Sequence, residues 1–346
     1  MSQKRTSRRS KKLKPKKNGI ECHGISGGNS CTSSEETLYN HHTTTTKATT
    51  ETTPTPTLQT ATPTDTPPLD RHGFVKTHVL HKQVSSAHAH TDGRELTMKR
   101  EAKWLDMLSR WPETLKHRDK LKSRCQKGIP QAVRAHTWQK LAGSDILKER
   151  NPGVYERLTR VGETTDQSEW DHVIRKDIPR TFRHHSMFYE NNSRGQEDLF
   201  NVLLAYTRYD VETGYNQALA PVAAVLLMHM PPEDSFWCLV SICVNYLPGY
   251  YGRGMEAVRL DCMTFAHLLQ THCPHIHSHL EEQQVETSLY LVEWLVCVFS
   301  RSVPFDTVLR IWDMFFCQGY KVRISQSDGN NIYAIFQTLS RSDISG

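Results

Sequence analysis

The spacing of apolar residues along the chain changes near residue 95. Up to residue 94, apolar positions follow neither a helical nor a strand period. From Thr97 onward they recur at helical intervals, and the first such face carries Trp104, Leu105 and Leu108. No stretch alternates apolar and polar residues for long enough to indicate a sheet. The pattern therefore predicts an all-α, multi-helix body that follows a tail, 1–94, without regular structure.

Proline, glycine and polar residues divide the body into separate helices. A segment around 170–174 is amphipathic and stops near Pro179, because proline disrupts a helix interior, so Arg180 is expected on a loop. The segment 218–230 is apolar on every side, which predicts a buried central helix with Gln217 at its polar start. Arg180 and Gln217 can therefore face one partner. Further helices are predicted over 98–111, 115–124, 130–142, 197–209, 235–246, 255–272, 288–299 and 305–316.

The composition confines the basic excess of the chain to the tail. Residues 1–17 hold nine Lys or Arg and no acidic residue, while the whole chain has a formal net charge of +6, so the remainder is slightly acidic. A nucleic-acid-binding domain would carry basic residues on a folded face, so we expect no specific nucleic-acid partner. The tract 43–68 is rich in Thr and Pro, a composition that buries too little apolar surface to offset chain entropy. We therefore expect disorder over 1–94.

The basic run 1–17 leaves several interpretations open. A nuclear-import signal, a nucleic-acid contact, a solvated tail and an anchor to anionic lipid all fit its composition. Attraction to an anionic surface contributes about 1 kcal/mol per nearby basic residue, which makes peripheral contact with a membrane or vesicle one hypothesis. For the threonines of the tract 43–68, phosphorylation is the functional interpretation and a solvated spacer is the alternative.

Cysteine and histidine usage indicates the compartment and bears on metal binding. Nine cysteines are scattered without a CxxC pair, and no apolar N-terminal segment marks a signal peptide. The longest apolar runs, near 218–228 and 289–299, are too short to cross a membrane. We therefore expect reduced thiols and a cytoplasmic protein. Histidines crowd between His267 and His279, but a zinc site would need two separated ligand pairs, so no metal site is predicted.

Two short strings carry residues suited to phosphoryl-transfer chemistry. The first contains Ile174, Asp177 and Arg180, and the second contains Tyr215 and Gln217. Arginine stabilises charge on a transferring phosphoryl group, and glutamine orients the attacking water in small GTPases. Taken alone, an arginine on a loop is more often a solvated charge or an ion-pair partner, and a glutamine near a helix start is more often a cap or a buried amide. The two strings together favour a hydrolysis site.

At these residues the chain resembles the TBC domain family, the GTPase-activating proteins of Rab-type GTPases, whose IxxDxxR and YxQ strings are complete here. The resemblance covers about residues 127–322. It includes the string KGIP, with Trp138 downstream, and the string RIWD, which begins at Arg310. We interpret these strings as packing signatures, with Trp312 as a core aromatic residue and Asp313 as a structural acceptor. The apolar run of the central helix and the strings after it resemble the carabin-type subgroup, which has PDZ-interacting relatives.

The resemblance implies a Rab GTPase-activating protein that acts in trans and regulates vesicle and membrane trafficking. Arg180 would be the arginine finger and Gln217 the glutamine finger, while Asp177 would hold the loop that carries the arginine. Tyr215 would pack against the partner near the nucleotide, and Ile174 would support the same surface. The chain would need no cofactor of its own, because the partner Rab-family GTPase carries GTP and Mg²⁺.

Three departures from the family pattern bear on this interpretation. Arg183 stands where the family string RTFP has a proline that would stiffen the loop, and Asn216 and Ala218 replace the residues that usually flank the glutamine. After Val322 the family has another long apolar helix, whereas 323–346 is atypical and resembles a truncated end. The alternative is therefore a catalytically impaired Rab- or scaffold-binding module. We divide the chain into the tail 1–94, a helical lead-in 95–126, the TBC domain 127–322 and the C-terminal segment 323–346.

Overall fold

The structure, a computed structural model, describes residues 68–76, 89–160 and 169–318, all within one compact unit. The basic N-terminal run and the C-terminal segment 323–346 lie outside the described residues, so what was predicted for them stays a prediction. The described residues form fourteen α-helices, one 3₁₀ turn and one π-helical turn, and their only β-pairings are isolated bridges, which confirms the predicted all-α class.

The helices follow one another with short connections. They are α1 (Ala89–Ser109), α2 (Trp111–Lys116), α3 (Arg118–Gln126), α4 (Gln131–Ala142), α5 (Ser144–Arg150), α6 (Val154–Thr159), α7 (Asp171–Asp177), α8 (Arg194–Tyr209), α9 (Leu219–Leu227), α10 (Pro232–Ser241), α11 (Glu256–His272), α12 (Pro274–Glu282), α13 (Thr287–Val296) and α14 (Phe305–Gln318). A 3₁₀ turn, Ile178–Arg180, extends α7, and a π-helical turn, Ile242–Tyr246, extends α10.

The central helix of the core is α9, because all nine of its residues are apolar and all are buried. Helix α8 packs along α9 with an apolar face that includes Leu199, Val202 and Leu203. Helix α10 packs against both. Each fully buried Leu or Val side chain stabilises the fold by about 1.5–3 kcal/mol, so this layer contributes strongly to stability. The predicted buried helix is thus confirmed, and Gln217 lies in the turn that precedes it.

Three short helices are absent from the prediction. The prediction ends a helix at residues 143–145, whereas Gly143 ends α4 and α5 begins at the next residue, Ser144. Helices α6 and α12 bury none of their residues. They are six and nine residues long, so their apolar residues repeat too few times to establish a helical period. The histidine-rich run therefore lies partly on an exposed helix, α12.

The structure corrects the predicted disordered tail, 1–94, in two places. Helix α1 begins at Ala89, inside that range. Residues 68–76, which we call the strap, form a turn in which the amide of Lys76 donates to the carbonyl oxygen of Pro68 at 2.8 Å. The ring of Phe74 lies against aromatic rings of the body. A segment of this length is held by a few distant contacts and shows no periodicity, which is why the pattern of the tail does not predict it.

The cysteines among the described residues are all free thiols. Five of them are buried, Cys273 is exposed and Cys317 is intermediate. This agrees with the predicted reduced thiols in the core. None of the helices that the structure describes combines the length and apolar character needed to span a bilayer.

Candidate functional site

Asp177 joins the two predicted motifs in space. It is the last residue of α7, and its side chain is buried. One carboxylate oxygen, Oδ1, accepts from the guanidinium of Arg180 in an ion pair. The other, Oδ2, accepts from the hydroxyl of Tyr215 at 2.8 Å, across 38 residues of sequence. One carboxylate therefore binds the arginine of the first string and the tyrosine of the second.

Arg180 is the last residue of the 3₁₀ turn rather than a residue of an open loop. Helix α7 ends at Asp177, which agrees with the predicted break near Pro179. The chain then tightens into the 3₁₀ turn, with this proline in the first two positions, where a missing N–H costs nothing. The side chain of Arg180 is 58% exposed, so its guanidinium is accessible while Asp177 restrains it.

Tyr215 and Ile174 differ from what the resemblance implies. The resemblance implies that Tyr215 packs against the partner, whereas its side chain is buried and bonded to Asp177. Burial raises the pKa of Tyr215, and the Asp177 carboxylate raises it further, so the phenol stays protonated and donates. Ile174 is completely buried in the core. Both residues support the site from inside and do not form its surface.

Gly214 gives the second string its direction. It has φ of +63°, in the region that favours glycine, and a Cβ atom there would lie 2.8 Å from the ring of Trp170. The ring centroid of Tyr215 lies 6.4 Å from that of the same tryptophan, and the Tyr215 hydroxyl bonds to Asp177. A larger residue at 214 would displace Trp170 or the turn, so this glycine sets the approach of Tyr215 to the first motif.

Gln217 lies in the turn before α9, and its side chain is exposed. Its backbone carbonyl oxygen accepts from the amide of Ala220, in the first turn of the helix. The side chain that caps this turn belongs to Asn216, whose Oδ1 accepts from the amide of Ala218 at 3.0 Å. Gln217 does not cap α9, because this helix has no side-chain cap at its start, and the side chain of Gln217 is exposed to solvent.

Arg180 and Gln217 line one cleft, which has a volume of about 530 Å³. Asp177 also contributes to it, whereas Tyr215 and Ile174 do not. Its other walls come from residues 181–184, from residues between Ser300 and Phe305, and from the strap. The structure thus brings the two predicted finger residues to the same opening.

Several residues of this cleft lie outside the motifs that the sequence pattern indicates. The strap contributes Asp70 and Phe74, and the segment before α14 contributes Arg301 and Phe305. The sequence contains one indication of the strap, because Phe74 and Tyr39 are the only Phe, Tyr or Trp residues among the first 94. An aromatic side chain in a polar tail indicates a contact with the folded body, since such side chains gain most from burial.

The four predicted packing residues lie on α4 and α14 and do not line the cleft. Asp313 is fully buried and accepts from the amide of Ile129 at 2.6 Å and from Nε1 of Trp138 at 2.9 Å. Trp312 is buried and donates from Nε1 to the carbonyl oxygen of Val298 at 2.9 Å. Arg310 donates to the carbonyl oxygen of Gln126. Asp313 and Arg310 fasten α14 to α4 and to the segment that precedes it, and Trp312 fastens α14 to the turn after α13.

No group of three or more His, Cys, Asp or Glu side chains in the described part of the chain is placed to hold a metal ion. The site chemistry available there is instead cationic. Arg183 and Arg301 line the cleft together with Arg180. Such a surface attracts phosphates and acidic side chains, and its attraction falls with salt where the charges are exposed.

The helical fold and the paired motifs define a class of protein, and comparison with known families identifies it. Residues 131–327 match the family described as the Rab-GTPase-TBC domain, RabGAP-TBC. The chain belongs to this family, as the two strings indicate. The match begins with the first residue of α4 and differs by a few residues at each end from the predicted range 127–322.

Several curated relatives match over the same part of the chain. Human TBC1 domain family member 10B is 50% identical over 229 residues, which cover 66% of this chain and 28% of the relative. Mouse TBC1 domain family member 10A is 47% identical over 255 residues, covering 73% of this chain and 50% of the relative. Mouse carabin is 45% identical over 254 residues, covering 73% and 55%. The chain thus spans between 28% and 55% of the length of these relatives.

Solved structures show the same fold. The TBC domain of the Chlamydomonas flagellar RabGAP superimposes with a TM-score of 0.58 at 23% identity, covering 80% of this chain and 86% of that one. The Ypt/Rab-GAP domain of Gyp1p superimposes with a TM-score of 0.54 at 17% identity, covering 71% and 86%. At these identities the likeness concerns the fold alone.

Proposed function

We propose that this chain is a GTPase-activating protein for a Rab-family GTPase and supplies two side chains to the partner's nucleotide site. The observation that carries the proposal is that Arg180 and Gln217, which are 37 positions apart in the numbering, line one cleft. Membership of the Rab-GTPase-TBC domain family supports the choice of partner. The partner would bring GTP and Mg²⁺, and the chain would need no cofactor of its own.

In this proposal Arg180 stabilises the charge that develops on the γ-phosphoryl group. An arginine supplied in trans raises the hydrolysis rate by roughly 10³- to 10⁵-fold. The ion pair with Asp177 restrains the guanidinium before the partner binds, which lowers the entropy lost on docking. Since the side chain is largely exposed, it can exchange part of this contact for the phosphate without being pulled from a buried site.

Gln217 orients the attacking water in the same proposal. The exposed amide provides one acceptor oxygen and two N–H donors, which suits it to hold a water in line with the phosphorus atom. The further cations of the cleft, Arg183 and Arg301, add positive charge where phosphates and an acidic partner surface would approach. Hydrolysis is then accelerated by positioning and electrostatics, with no covalent intermediate on this chain.

The first prediction concerns the two fingers. In single-turnover GTP hydrolysis with a panel of Rab GTPases, we expect the full chain to accelerate at least one of them. Arg180→Ala should lower the accelerated rate by roughly 10³-fold or more. Gln217→Ala should lower it by roughly 10- to 10²-fold through lost positioning of the water. Arg180→Lys should recover only part of the activity, because lysine lacks the planar fork of the guanidinium.

The matched control is Arg150→Ala, which removes an exposed arginine of α5 that does not line the cleft. It should retain the wild-type rate. The proposal fails if the wild-type chain accelerates no Rab, or if both finger variants match it.

The second candidate function is a Rab- or scaffold-binding module with impaired catalysis. It is favoured by the atypical segment 323–346 and by Arg183 in place of the family's proline. Stable binding to a GTP-loaded Rab without faster hydrolysis would support this candidate over the first.

We also propose that the chain acts in the cytoplasm at membranes that carry its partner. The nine basic residues of 1–17 support contact with anionic lipid, at about 1 kcal/mol for each residue near the surface. The assay tests this with the Rab tethered to phosphatidylserine vesicles. Deletion of residues 1–17 should then reduce the rate on vesicles and leave the rate in solution unchanged.

A further inference from the structure

The strap is a compact turn that closes on itself. Oδ1 of Asp70 accepts from the amides of His72 at 2.8 Å and Phe74 at 2.9 Å. The amide of Asp70 donates in return to the carbonyl oxygen of Phe74 at 2.8 Å. The backbone shape of the turn is therefore set by its own hydrogen bonds, and its contacts with the body decide where it lies.

The backbone of the strap is bonded to the segment that follows Arg180. The amide of Val75 donates to the carbonyl oxygen of His184 at 2.8 Å, and the amide of Ser186 donates to the carbonyl oxygen of Gly73 at 2.8 Å. Gly73 has φ of +91°, and a Cβ atom there would lie 2.9 Å from Nε2 of His185. Glycine is required at this position for the two backbones to approach. The strap thus pairs with residues that come four to six positions after the arginine finger.

Phe74 closes an aromatic cluster beside the finger. Its ring centroid lies 4.8 Å from that of His185, 5.0 Å from that of Phe305 and 6.0 Å from that of Phe182. Phe182 has φ of +45°, which is strained for a bulky residue. Such a conformation persists only where the surroundings hold it. Phe182 is two residues after Arg180, so the packing that holds it also bears on the direction of the arginine.

A second attachment ties the strap to the start of α14. Nε2 of His72 lies 2.6 Å from Oδ1 of Asp306, and the guanidinium of Arg71 pairs with the same carboxylate. Phe305, beside it, belongs to the aromatic cluster. The strap therefore spans the segment after Arg180 and the start of α14, and both form walls of the cleft.

We propose that the strap is a positioning element of the site: by packing on Phe182, Phe74 sets the direction in which Arg180 enters the partner. This inference rests on the proposed function. Phe74 acts through Phe182 and the backbone of residues 180–182, and it is a positioning residue with no contact to the reacting atoms. Misplacement of a catalytic group by about 1 Å can cost 10²-fold in rate, so a loosened Phe182 should be visible in the chemical step.

The test is single-turnover GTP hydrolysis with a responding Rab, at increasing concentrations of the full chain. Phe74→Ala should lower the rate at saturation by roughly 10- to 10²-fold and change the half-saturating concentration little. Phe74→Tyr keeps the ring and should restore most of the rate. The matched control, Tyr209→Ala, removes a ring that packs on Phe236 and Trp237 outside the cleft, and it should retain the wild-type rate.

A double-mutant cycle separates positioning from a general loss of structure. In the Arg180→Ala background, Phe74→Ala should cause little further loss, because the group that it positions is gone. Amide hydrogen exchange provides a second measurement, in which Phe74→Ala should speed exchange over residues 181–186.

Three results would overturn this inference alone while leaving the proposed function standing. They are a saturating rate of Phe74→Ala equal to that of the wild type, a loss that multiplies in full with that of Arg180→Ala, and unchanged exchange over residues 181–186. A wild-type chain that accelerates no Rab would instead overturn the proposed function, and this inference with it.

Discussion

The two carboxylate oxygens of Asp177 bond to two residues that differ in solvent exposure, Tyr215 and Arg180. The bond from Tyr215 is buried, and a hydrogen bond to a charged group contributes about 1.5–3 kcal/mol. The ion pair with Arg180 is partly in solvent, where such pairs contribute about 0–1 kcal/mol. Tyr215 therefore anchors the carboxylate, and Arg180 is held loosely enough to change its partner at low cost.

We predict that Tyr215→Phe lowers the free energy of unfolding by roughly 1.5–3 kcal/mol, because it leaves a buried carboxylate oxygen without its donor. Urea unfolding at neutral pH measures this. Tyr189→Phe, at an exposed position, is the matched control and should change stability little. Equal unfolding midpoints for Tyr215→Phe and the wild type would mean that the hydrogen bond to Asp177 does not contribute to the free energy of unfolding.

At the residue scale, the sequence strings predict which residue types form the site better than they predict which side chains face the surface. They place Arg180 and Gln217 at polar ends of helices, where both can face a partner, and both line the cleft. They do not reveal that Tyr215 points inward, because that depends on the turn at Gly214 and on a carboxylate 38 residues away. A string contains residue types and spacing but no direction for a side chain.

At the scale of elements, Asp313 is the residue that fixes α14 to α4. Besides the bonds from Ile129 and Trp138, it accepts from Nε of Arg134 at 3.2 Å. Burial raises the pKa of Asp313, while the charge of Arg134 and the hydrogen bonds act against that rise. Three donors from the segment 129–138 thus converge on one carboxylate and set the position of α14.

We predict that Asp313→Ala destabilises the fold by roughly 3–5 kcal/mol, because it leaves Arg134 and the Trp138 N–H buried without their acceptor. Thermal or urea unfolding measures the change. Asp119→Ala, at an exposed position on α3, is the control and should cost far less. A cost for Asp313→Ala as small as the control's would show that these donors find other acceptors.

The elements that the sequence predicts are those with a buried face. Helices α9 and α14 have strong apolar patterns and were predicted within a few residues. Helices α6 and α12 bury no residue fully and are only six and nine residues long, so their few apolar residues repeat too seldom to establish a helical period. The predicted helix 235–246 changes into a π-helical turn at Ile242, since an apolar pattern does not distinguish a π-helical turn from a regular one.

At the scale of the whole molecule, the sequence pattern does not predict where the strap lies on the body. The carbonyl oxygen of its residue His72 contacts the ring of His185, which is 113 residues away in sequence. The ring of His72 contacts Asp306, which is 234 residues away. Local pattern cannot reveal contacts at such separations, and the fold must be known before they can be seen. In the core, His229 likewise contacts residues that are distant in sequence. Its ring centroid lies 4.8 Å from that of Trp138 and 6.4 Å from that of Phe305.

His229 makes the stability of the whole domain depend on pH. Nδ1 donates to the carbonyl oxygen of Val225 at 2.9 Å, and burial lowers the pKa of the imidazole to about 4. An unfolded histidine has a pKa of about 6.5, so the folded state favours the neutral ring. The contribution to stability is therefore complete above about pH 6.5 and is lost as the pH falls toward 4. Burial also lowers the pKa of His185, which acts in the same direction.

We predict that lowering the pH from 7 to 5 reduces the free energy of unfolding, with about 2 kcal/mol of the loss due to His229. Asp198 and Asp313, whose pKa values burial raises, act in the opposite direction, so the informative comparison is between variants at each pH. His229→Gln cannot gain this proton, and its stability should fall less over the same range. His275→Gln, on the exposed face of α12, should follow the wild type. If urea unfolding gave His229→Gln the same pH dependence as the wild type, the acid sensitivity would have to arise from another group.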